Sequence, residues 1–274
     1  MFRNMKTSRM MTGLAVALSV LCSCSVKEDR SLCPCYVDMI VDEFVRDGFS
    51  SGTVAFSSDG FDFRDDILLA DHVGGGYTVA VPRSFVKAAC VCGLDRSHVS
   101  GNCISIPEGE ASDPIMSYRE SFLPRGDEHL LYAVPHKQYC RIDLILENPM
   151  EDYPYAFRVR SDCSGLDIFD LQPVRGSFDT SVYANALGEY STLLLRQSPE
   201  SELFLDVLLP VSGSVSDWKL QYTVSLSDAL EAVSYDWTKE DLDDVSLTVD
   251  YARAEVTVEI SEWEGSVNEK NVEI

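Results

Sequence analysis

Nine cysteines are the residues of this 274-residue chain whose type and spacing could do chemistry. Two pairs, Cys33-Pro34-Cys35 and Cys90-Val91-Cys92, have a C-x-C spacing, which places both thiols on one face of a strand. Such a pair could offer two thiolates to a metal, but zinc sites prefer wider spacings. The four histidines form no i, i+3 or i, i+4 set that would complete a site; they are His72, His98, His129 and His136. We therefore predict disulfides or buried thiols rather than zinc, with the pairing left open.

The N-terminus has the pattern of a secretion signal. Residues 1–23 contain basic residues and no acidic one, and an apolar run from Gly13 to Leu21 follows the basic part. The run is too short to cross a membrane as a helix, which needs about 20 apolar residues. Leu21-Cys22-Ser23-Cys24 resembles a bacterial lipobox, in which a small residue precedes the cysteine that is acylated. We predict that residues 1–23 are removed and that Cys24 carries the lipid, because the bulky Leu21 before Cys22 fits less well. An ordinary signal peptide is the alternative.

The residues after Cys24 resemble an export signal. Lys27-Glu28-Asp29 places a lysine and two acids a few positions after the predicted lipid attachment. This arrangement is similar to the signal that sends lipoproteins of Bacteroidetes to the outer face of the outer membrane. We therefore expect a protein that is anchored by lipid and exposed on the cell surface. Loss of Cys22 and acylation of Cys24 would leave seven cysteines, so at least one could not pair within the chain.

The charge of the chain argues against one class of partner. The formal net charge is −23, from 45 acidic and 22 basic residues. Nucleic-acid binding relies on clustered Lys and Arg, which this composition does not favour. The acidic residues are spread along the chain, as is typical of a soluble surface that repels its copies. Such a surface gains no attraction from anionic lipid, so acyl chains would have to hold it at a membrane.

The body of the chain has the pattern of β-structure, because apolar and polar residues alternate with a period of two. This alternation predicts strands with one face on a core and the other in water. The strongest patterns are Val37 to Val41, Cys140 to Leu146, Leu203 to Leu209, Leu220 to Leu226, Leu247 to Tyr251 and Ala254 to Ile260. Shorter runs are Thr53 to Phe56, Tyr77 to Val81 and Phe85 to Cys90. We predict an all-β chain without the strand–helix alternation that makes a parallel sheet.

Two short helical signals interrupt the strands, and both indicate single turns. They are Ser227 to Val233 and Thr238 to Leu242, each of which begins with a capping residue. A domain boundary is expected near Val134-Pro135-His136, because a loop-like stretch precedes it and the strand at Cys140 follows it. The division gives an N-terminal sandwich over residues 24–135 and a C-terminal one over residues 136–274. We find no convincing internal sequence repeat.

The sequence contains no recognisable catalytic motif. Gly74-Gly75-Gly76 lacks the G-K-[ST] that follows in a phosphate-binding loop, and we interpret it as a turn before the strand at Tyr77. The acidic pairs Asp65-Asp66 and Asp243-Asp244 are not placed beside an opposing carboxylate, as a glycosidase would require. We therefore predict that the protein is not an enzyme and has no cofactor and no metal site. A secreted enzyme is the least favoured of three interpretations.

Four segments, taken in order, resemble the FimB-type minor fimbrial anchor subunits of Bacteroidales. They are Cys24 to Tyr36, Arg141 to Leu146, Leu193 to Gln197 and Val256 to Trp263. The resemblance implies two transthyretin-like antiparallel β-sandwich domains in tandem. It implies a non-enzymatic subunit that anchors a fimbrium to the outer membrane and ends its growth. The partners would be fimbrial stalk subunits, joined by donor-strand exchange, in which a segment of one chain completes a sheet of another. The many cysteines of the first half depart from the family.

The same resemblance points to the C-terminal segment as the donated strand. An anchor that keeps its lipidated N-terminus keeps its own sheet complete, so it would act through residues 267–274. In that segment Val272 and Ile274 alternate with polar residues, and Val267 precedes them. The alternative is a frayed terminus, or a last strand that folds back on its own domain.

The main rival function is that of a surface lipoprotein whose β-sandwich domains bind glycans. Such sites need exposed aromatic side chains. The chain has three tryptophans, Trp218, Trp237 and Trp263, and the first and last lie at strand ends, where core positions are common.

Overall fold

The computed structural model describes residues 33–148, 155–211 and 217–263, and almost all of its regular structure is β. The first ten strands are β1 (Cys35–Ile40), β2 (Ser51–Ser58), β3 (Phe61–Leu68), β4 (Tyr77–Val81), β5 (Val86–Cys92), β6 (His98–Ser100), β7 (Cys103–Ser105), β8 (Met116–Phe122), β9 (Glu128–Tyr132) and β10 (His136–Lys137). The next eight are β11 (Tyr139–Glu147), β12 (Ala156–Asp167), β13 (Pro173–Tyr183), β14 (Tyr190–Leu195), β15 (Leu203–Pro210), β16 (Trp218–Ser225), β17 (Asp244–Asp250) and β18 (Glu255–Ser261). Two short helices, α1 (Asp42–Arg46) and α2 (Leu226–Ala232), and a 3-10 helix (Leu69–His72) join them. The predicted all-β fold class is confirmed.

The N-terminal sandwich consists of two sheets with the strand orders β4-β1-β9 and β10-β8-β5-β2-β3. Alternate residues of β1 face inward, and Val37 and Met39 are fully buried between the sheets. Cys90 and Cys92 of β5 face the same core, together with Phe44 of α1. The period-two pattern of the sequence therefore corresponds to the burial of this half.

The C-terminal sandwich has the sheet order β14-β11-β17-β18 against β16-β15-β12, with β13 paired to the other side of β12. Its core contains Ile142 and Leu144 from β11, Phe157 from β12 and Leu205 from β15. The face of β16 that the sequence predicts to be buried is only partly buried. Leu220 is 46% exposed, because a bulge between Val207 and Leu208 shifts the register between β15 and β16.

The two sandwiches repeat one topology. In each, the first strand pairs antiparallel with one neighbour and parallel with another: β1 with β4 and β9, and β11 with β14 and β17. In the opposing sheets, β2 lies between β3 and β5 as β12 lies between β13 and β15. The sheets are therefore antiparallel except for two pairs. These parallel pairs need no crossover helix, because the connections run through the opposing sheet of the sandwich.

A short hairpin links the two halves. Strands β6 and β7 follow the N-terminal sandwich strand β5, yet β7 pairs with Gly165 to Asp167 of β12 in the C-terminal sandwich. Gly165 permits this approach, because a Cβ there would lie 2.6 Å from the carbonyl oxygen of Ile104. The outward side chains of Ala89 and Val91 on β5 also belong to the C-terminal core. The domain boundary near residue 135 stays a prediction. The β6–β7 hairpin lies before this boundary in sequence, yet it extends a sheet of the C-terminal sandwich.

The short helical signals have different outcomes. Helix α2 begins earlier than predicted, because the Ser225 side chain, rather than Ser227, caps it by accepting a hydrogen bond from the Asp228 amide (3.2 Å). The stretch from Thr238 to Leu242 forms turns and no helix. There the Asp236 carboxylate accepts hydrogen bonds from the Thr238 amide (2.8 Å) and hydroxyl (2.6 Å), which favours a local turn.

Candidate functional site

The residues that the sequence singles out for function lie outside the described residues. These are the predicted lipid attachment Cys24, the export signal Lys27, Glu28 and Asp29, and the donor-strand candidates Val267, Val272 and Ile274. The structure describes the two points at which those segments join the sandwiches. It also describes the sheet edges that are available for pairing with another strand.

The N-terminal segment joins the sandwich at the centre of a sheet. Strand β1 begins at Cys35, and it has a hydrogen-bonded strand on each side. The Arg83 side chain fixes the residues before β1, since its Nε donates to the carbonyl oxygen of Cys33 (2.9 Å) and its guanidinium pairs with Asp127. The position between β4 and β9 is thus filled by the chain's own first strand.

The C-terminal segment leaves from the junction between the two sandwiches. Strand β18 ends at Ser261, and the Trp263 amide donates to the carboxylate of Asp243 (3.1 Å). The Trp263 ring lies beside the side-chain nitrogen of Lys137, 4.6 Å from its centre, and is 36% exposed. The last described residue therefore lies next to β10, which is the last strand of the N-terminal sandwich.

Lys137 is a fully buried cation at this junction. Its Nζ donates to the carbonyl oxygen of Leu242 (3.0 Å) and to the carboxylate of Asp244 (2.5 Å). The Tyr139 ring lies on its other side, with its centre 4.8 Å from Nζ. Burial of a charge is tolerated only where its partners replace water, and here a carboxylate, a carbonyl and two aromatic rings do so. The acidic pair Asp243-Asp244 therefore has a structural role.

His136 and Arg196 extend the junction into a polar network. His136 lies between Asp241 and Glu240, each 3.2 Å from a ring nitrogen, and the hydrogen bond with Asp241 raises the pKa of the imidazole. Arg196 donates to Gln138 (2.8 Å) and to the carbonyl oxygens of Trp237 (2.5 Å) and Glu240 (3.0 Å). Burial lowers the pKa of the Arg196 guanidinium, as expected for a cation whose partners are mostly neutral.

Strand β9 has an edge that pairs with no other described residue. The Tyr36 amide donates to Asp127 (2.8 Å) and the Ala133 amide donates to Ile40 (2.9 Å). Because this ladder repeats every two residues, odd-numbered residues of β9 bond to β1. The backbone N–H and C=O groups of Glu128, Leu130 and Tyr132 therefore point away from β1, along the outer edge.

An apolar row covers the outward face beside this edge. Here we call five residues the outer row, and all of them are apolar or aromatic side chains that point away from the N-terminal core. They are Tyr36 and Ile40 on β1, Leu130 and Tyr132 on β9, and Val134 just after it. Tyr132 is 66% exposed and Tyr36 is 50% exposed. An open edge beside exposed apolar side chains is the usual template for pairing with an added strand.

The open edge of β9 was not predicted from the sequence. His129 to Val134 reads as a run in which both strand faces are apolar, whereas a strand with one face in water alternates. That run was the signal that indicates a strand here with two apolar faces. Lys137 carried no comparable signal, since a lone lysine between a histidine and a glutamine looks like an ordinary surface residue.

The cysteines are free thiols in the described residues, and five of the seven are buried. A hydrogen bond to Cys92 and burial raise the pKa of Cys90 well above the usual range, and burial raises that of Cys140 to about 12. These thiols are protonated and poorly reactive at neutral pH. Within residues 33–148, 155–211 and 217–263, no group of three or more His, Cys, Asp or Glu side chains could hold a metal. No helix among these residues is long and apolar enough to span a membrane.

Solved structures share the fold of this chain at low sequence identity. The fimbrial anchor protein Mfa2 from Porphyromonas gingivalis aligns with a TM-score of 0.57 and 10% identity, covering 84% of this chain and 98% of that one. A candidate adhesin from Bacteroides ovatus aligns with a TM-score of 0.55 and 12% identity, covering 84% and 94%. A candidate polysaccharide-binding protein from Bacteroides thetaiotaomicron gives 0.54 and 11%, covering 84% and 96%. No protein-family profile and no curated protein matches the sequence.

Proposed function

We propose that this chain is a non-enzymatic lipoprotein that anchors a fimbrium to the outer membrane and terminates its growth. In this proposal Cys24 carries the lipid and Lys27-Glu28-Asp29 directs the protein to the cell surface. Residues 267–274 are donated to the first stalk subunit as a β-strand. The likeness of fold to a fimbrial anchor protein supports the fimbrial role.

The burial of β1 is the observation that carries the proposal. Cys35, Val37 and Met39 are fully buried, and β1 pairs along its length with both β4 and β9. A chain that keeps its N-terminal segment cannot vacate this position, so no strand from another subunit can be inserted there. A subunit that cannot accept a strand at this position but can donate its terminal segment can join a polymer at one end only. Such a subunit ends the polymer and is suited to hold it.

Fractionation of a Cys24→Ala variant tests the lipid anchor. We expect the variant to leave the outer-membrane fraction, because the lipid on Cys24 is the proposed attachment to the membrane. Cys22→Ala is the matched control, since a cysteine within the predicted signal should not matter. Retention of the Cys24→Ala variant in the outer membrane would remove the basis of the proposal.

Two charge-matched variants test the donated strand. Val272→Asp with Ile274→Asp places two charges on the apolar face of the segment, and we expect loss of co-purification with fimbriae. Asn268→Asp with Asn271→Asp adds the same charge to other positions and should weaken it far less. Equal co-purification of the two variants would show that these apolar side chains do not fill a partner's sheet.

Glycan binding is the second candidate function. The observation that favours it is an aromatic pair in the C-terminal sandwich, in which the rings of Tyr183 and Trp218 lie 5.7 Å apart, Tyr183 is 54% exposed and Trp218 is half-buried. Aromatic side chains of this kind can stack on sugar rings. A glycan array would test it: binding that is lost in Tyr183→Ala and Trp218→Ala variants, with fimbrial co-purification unchanged, would favour this function over the first.

A further inference from the structure

We propose that, in the unassembled subunit, residues 264–274 pair with the outer edge of β9 and cover the outer row. The proposal rests on the proposed function, because the same segment would be donated to the stalk subunit on assembly. The segment would then exchange one β-partner for another, and the free subunit would expose neither its donor strand nor an unprotected edge.

The edge of β9 differs from the edges formed by β3 and β18 in its side chains. Strand β3, which ends the opposing sheet, carries Asp62, Arg64, Asp65 and Asp66. Strand β18 presents Glu255 and Glu259. Charges of this kind discourage a further strand, whereas the β9 edge is flanked by Leu130, Tyr132 and Val134. The sequence is thus adapted to cover this edge rather than to leave it in water.

The repeated topology indicates what should lie there. Strand β17 holds the position in the C-terminal sandwich that β9 holds in the N-terminal one, since each pairs in parallel with the first strand of its sandwich. The other edge of β17 is paired antiparallel with β18, along seven residue pairs from Asp244–Ser261 to Asp250–Glu255. The equivalent position beside β9 holds none of the described residues. The chain that follows β18 is a segment that can fill it.

The length and starting point of the C-terminal segment allow this pairing. Trp263 lies beside the side chain of Lys137, and Lys137 follows Tyr132 by five residues, so the Cα atoms of Lys137 and Tyr132 are at most about 18 Å apart. The eleven residues 264–274 reach about 36 Å when extended. Five of them would span β9 at about 3.3 Å per residue, and the remaining six extend about 20 Å, which exceeds the distance between the Cα atoms of Lys137 and Tyr132.

The starting point also determines the direction of the added strand. The segment approaches β9 from the Tyr132 end and must run toward Glu128, so it pairs antiparallel. This is the relation that β18 has to β17. Its partners would be the outward N–H and C=O groups of Leu130 and Tyr132, which β1 does not use.

Amide hydrogen exchange of the full chain, measured residue by residue by NMR, tests the proposal. We expect the amides of Leu130 and Tyr132 to exchange at least tenfold faster in a variant that stops after Trp263 than in the full chain. The amides of Leu131, in the same strand, and of Ala133, just after it, bond to β1, so their exchange should not change. They also report whether the shortened chain has kept its fold.

A photo-crosslinker supplies a second readout. A p-benzoylphenylalanine at position 132 should cross-link to a peptide within residues 264–274 of the same molecule. The same group at position 183, which is also an exposed tyrosine but lies in the C-terminal sandwich, should not. Equal exchange at Leu130 and Tyr132 in both chains, or no such cross-link, would overturn the proposal. So would protection that depends on protein concentration, because it would assign the edge to a second copy.

The outcomes also separate this proposal from the proposed function. If removal of residues 264–274 abolishes fimbrial co-purification without changing the exchange of Leu130 and Tyr132, the donated strand stands and its self-pairing is wrong. If exchange accelerates while co-purification persists, the self-pairing stands and the donated strand is wrong.

Discussion

The side-chain nitrogen of Lys137 and the ring of Trp263 lie 4.6 Å apart, so a buried cation of the N-terminal sandwich holds the last described residue of the chain. The contact joins β10 to the end of β18, two elements more than 120 residues apart in sequence. It fixes where the C-terminal segment starts. The stability of the junction and the position of the segment therefore depend on the same side chain.

Replacing Lys137 with methionine should destabilise the protein by about 3 kcal/mol, because the Asp244 carboxylate would lose its buried cation. Methionine keeps most of the volume of the side chain, so the effect would report the charge rather than a cavity. Urea unfolding of the two proteins measures it. Lys219→Met, at an exposed lysine on β16, is the control and should change stability by less than about 0.5 kcal/mol. A similar loss of unfolding free energy in the two variants would contradict the role of Lys137 as the buried partner of Asp244.

The contribution of His136 to stability should depend on pH. Its pKa is raised by the hydrogen bond with Asp241, and Glu240 acts in the same direction. A group whose pKa is raised on folding stabilises the folded state fully at a pH below its pKa in the unfolded chain, about 6.5. This stabilisation is lost as the pH rises through the pKa in the folded protein. The difference in unfolding free energy between the wild type and His136→Gln should therefore be larger at about pH 5.5 than at about pH 8.5, by about 1 kcal/mol.

An exposed histidine provides the comparison for that measurement. His98 is exposed on β6, and His98→Gln is the control for the replacement of an imidazole by an amide. A difference between wild type and His136→Gln that stays constant across this range would mean that the imidazole does not titrate against Asp241.

Asp206 should contribute to stability through two arginines. Its carboxylate is fully buried and accepts hydrogen bonds from Arg158 (2.7 Å), Arg160 (2.9 Å) and Thr223 (2.7 Å). Although burial raises the pKa of Asp206, these hydrogen bonds outweigh it and hold the pKa below its usual range. Asp206→Asn should cost about 2 kcal/mol at neutral pH, a reduced figure because both arginines are partly in water.

The sign of the pH effect is opposite to that of His136. A group whose pKa is lowered on folding stabilises the folded state at a pH above its pKa in the unfolded chain. This stabilisation is lost as the pH falls through the pKa in the folded protein. The cost of Asp206→Asn should therefore shrink below about pH 4. Asp59→Asn, in the exposed turn after β2, is the control. An equal loss of unfolding free energy in the two variants would show that the two arginines do not account for the stabilising effect of Asp206.

Gly165→Ala should destabilise the hairpin that links the two sandwiches. The added methyl would lie 2.6 Å from the carbonyl oxygen of Ile104 and 3.1 Å from the Cys103 sulfur, so β7 would have to move away from β12. We expect a loss of about 1–3 kcal/mol in urea unfolding and faster proteolysis between β6 and β7. Gly75→Ala is the matched control, since its Cβ would meet no atom within 4 Å. Cleavage of the two variants at the same rate would contradict the role of Gly165.

Strands with one face in water, in which apolar and polar residues alternate, were predicted from the sequence. Strands that depart from this alternation were missed. β11, β15, β17 and β18 alternate cleanly and were predicted. β12 was missed, because register shifts between Ser161 and Gly165 break its period. β9 was missed because both of its faces are apolar. The pairing of β1 with β9 and of β11 with β17 is set by the closing of each sandwich, and no local pattern encodes a contact between such distant segments.

The candidate site was predictable only at the ends of the chain. Lipidation and strand donation were inferred from short patterns at residues 24–29 and 267–274, and both remain predictions. The junction of Lys137, His136 and Arg196 depends on partners about 40 to 125 residues away in sequence. A single buried lysine has no signature in sequence, because its burial depends on where Asp244 and Trp263 fold.

The seven residue pairs between β17 and β18 have a mechanical consequence. The chain leaves β18 at the junction, so a pull on the C-terminal segment toward the N-terminal sandwich acts along the axis of β18. Its hydrogen bonds to β17 would then be loaded together in shear, rather than opened one at a time from a free end. A strand held in this way resists a tensile force better than its modest length suggests.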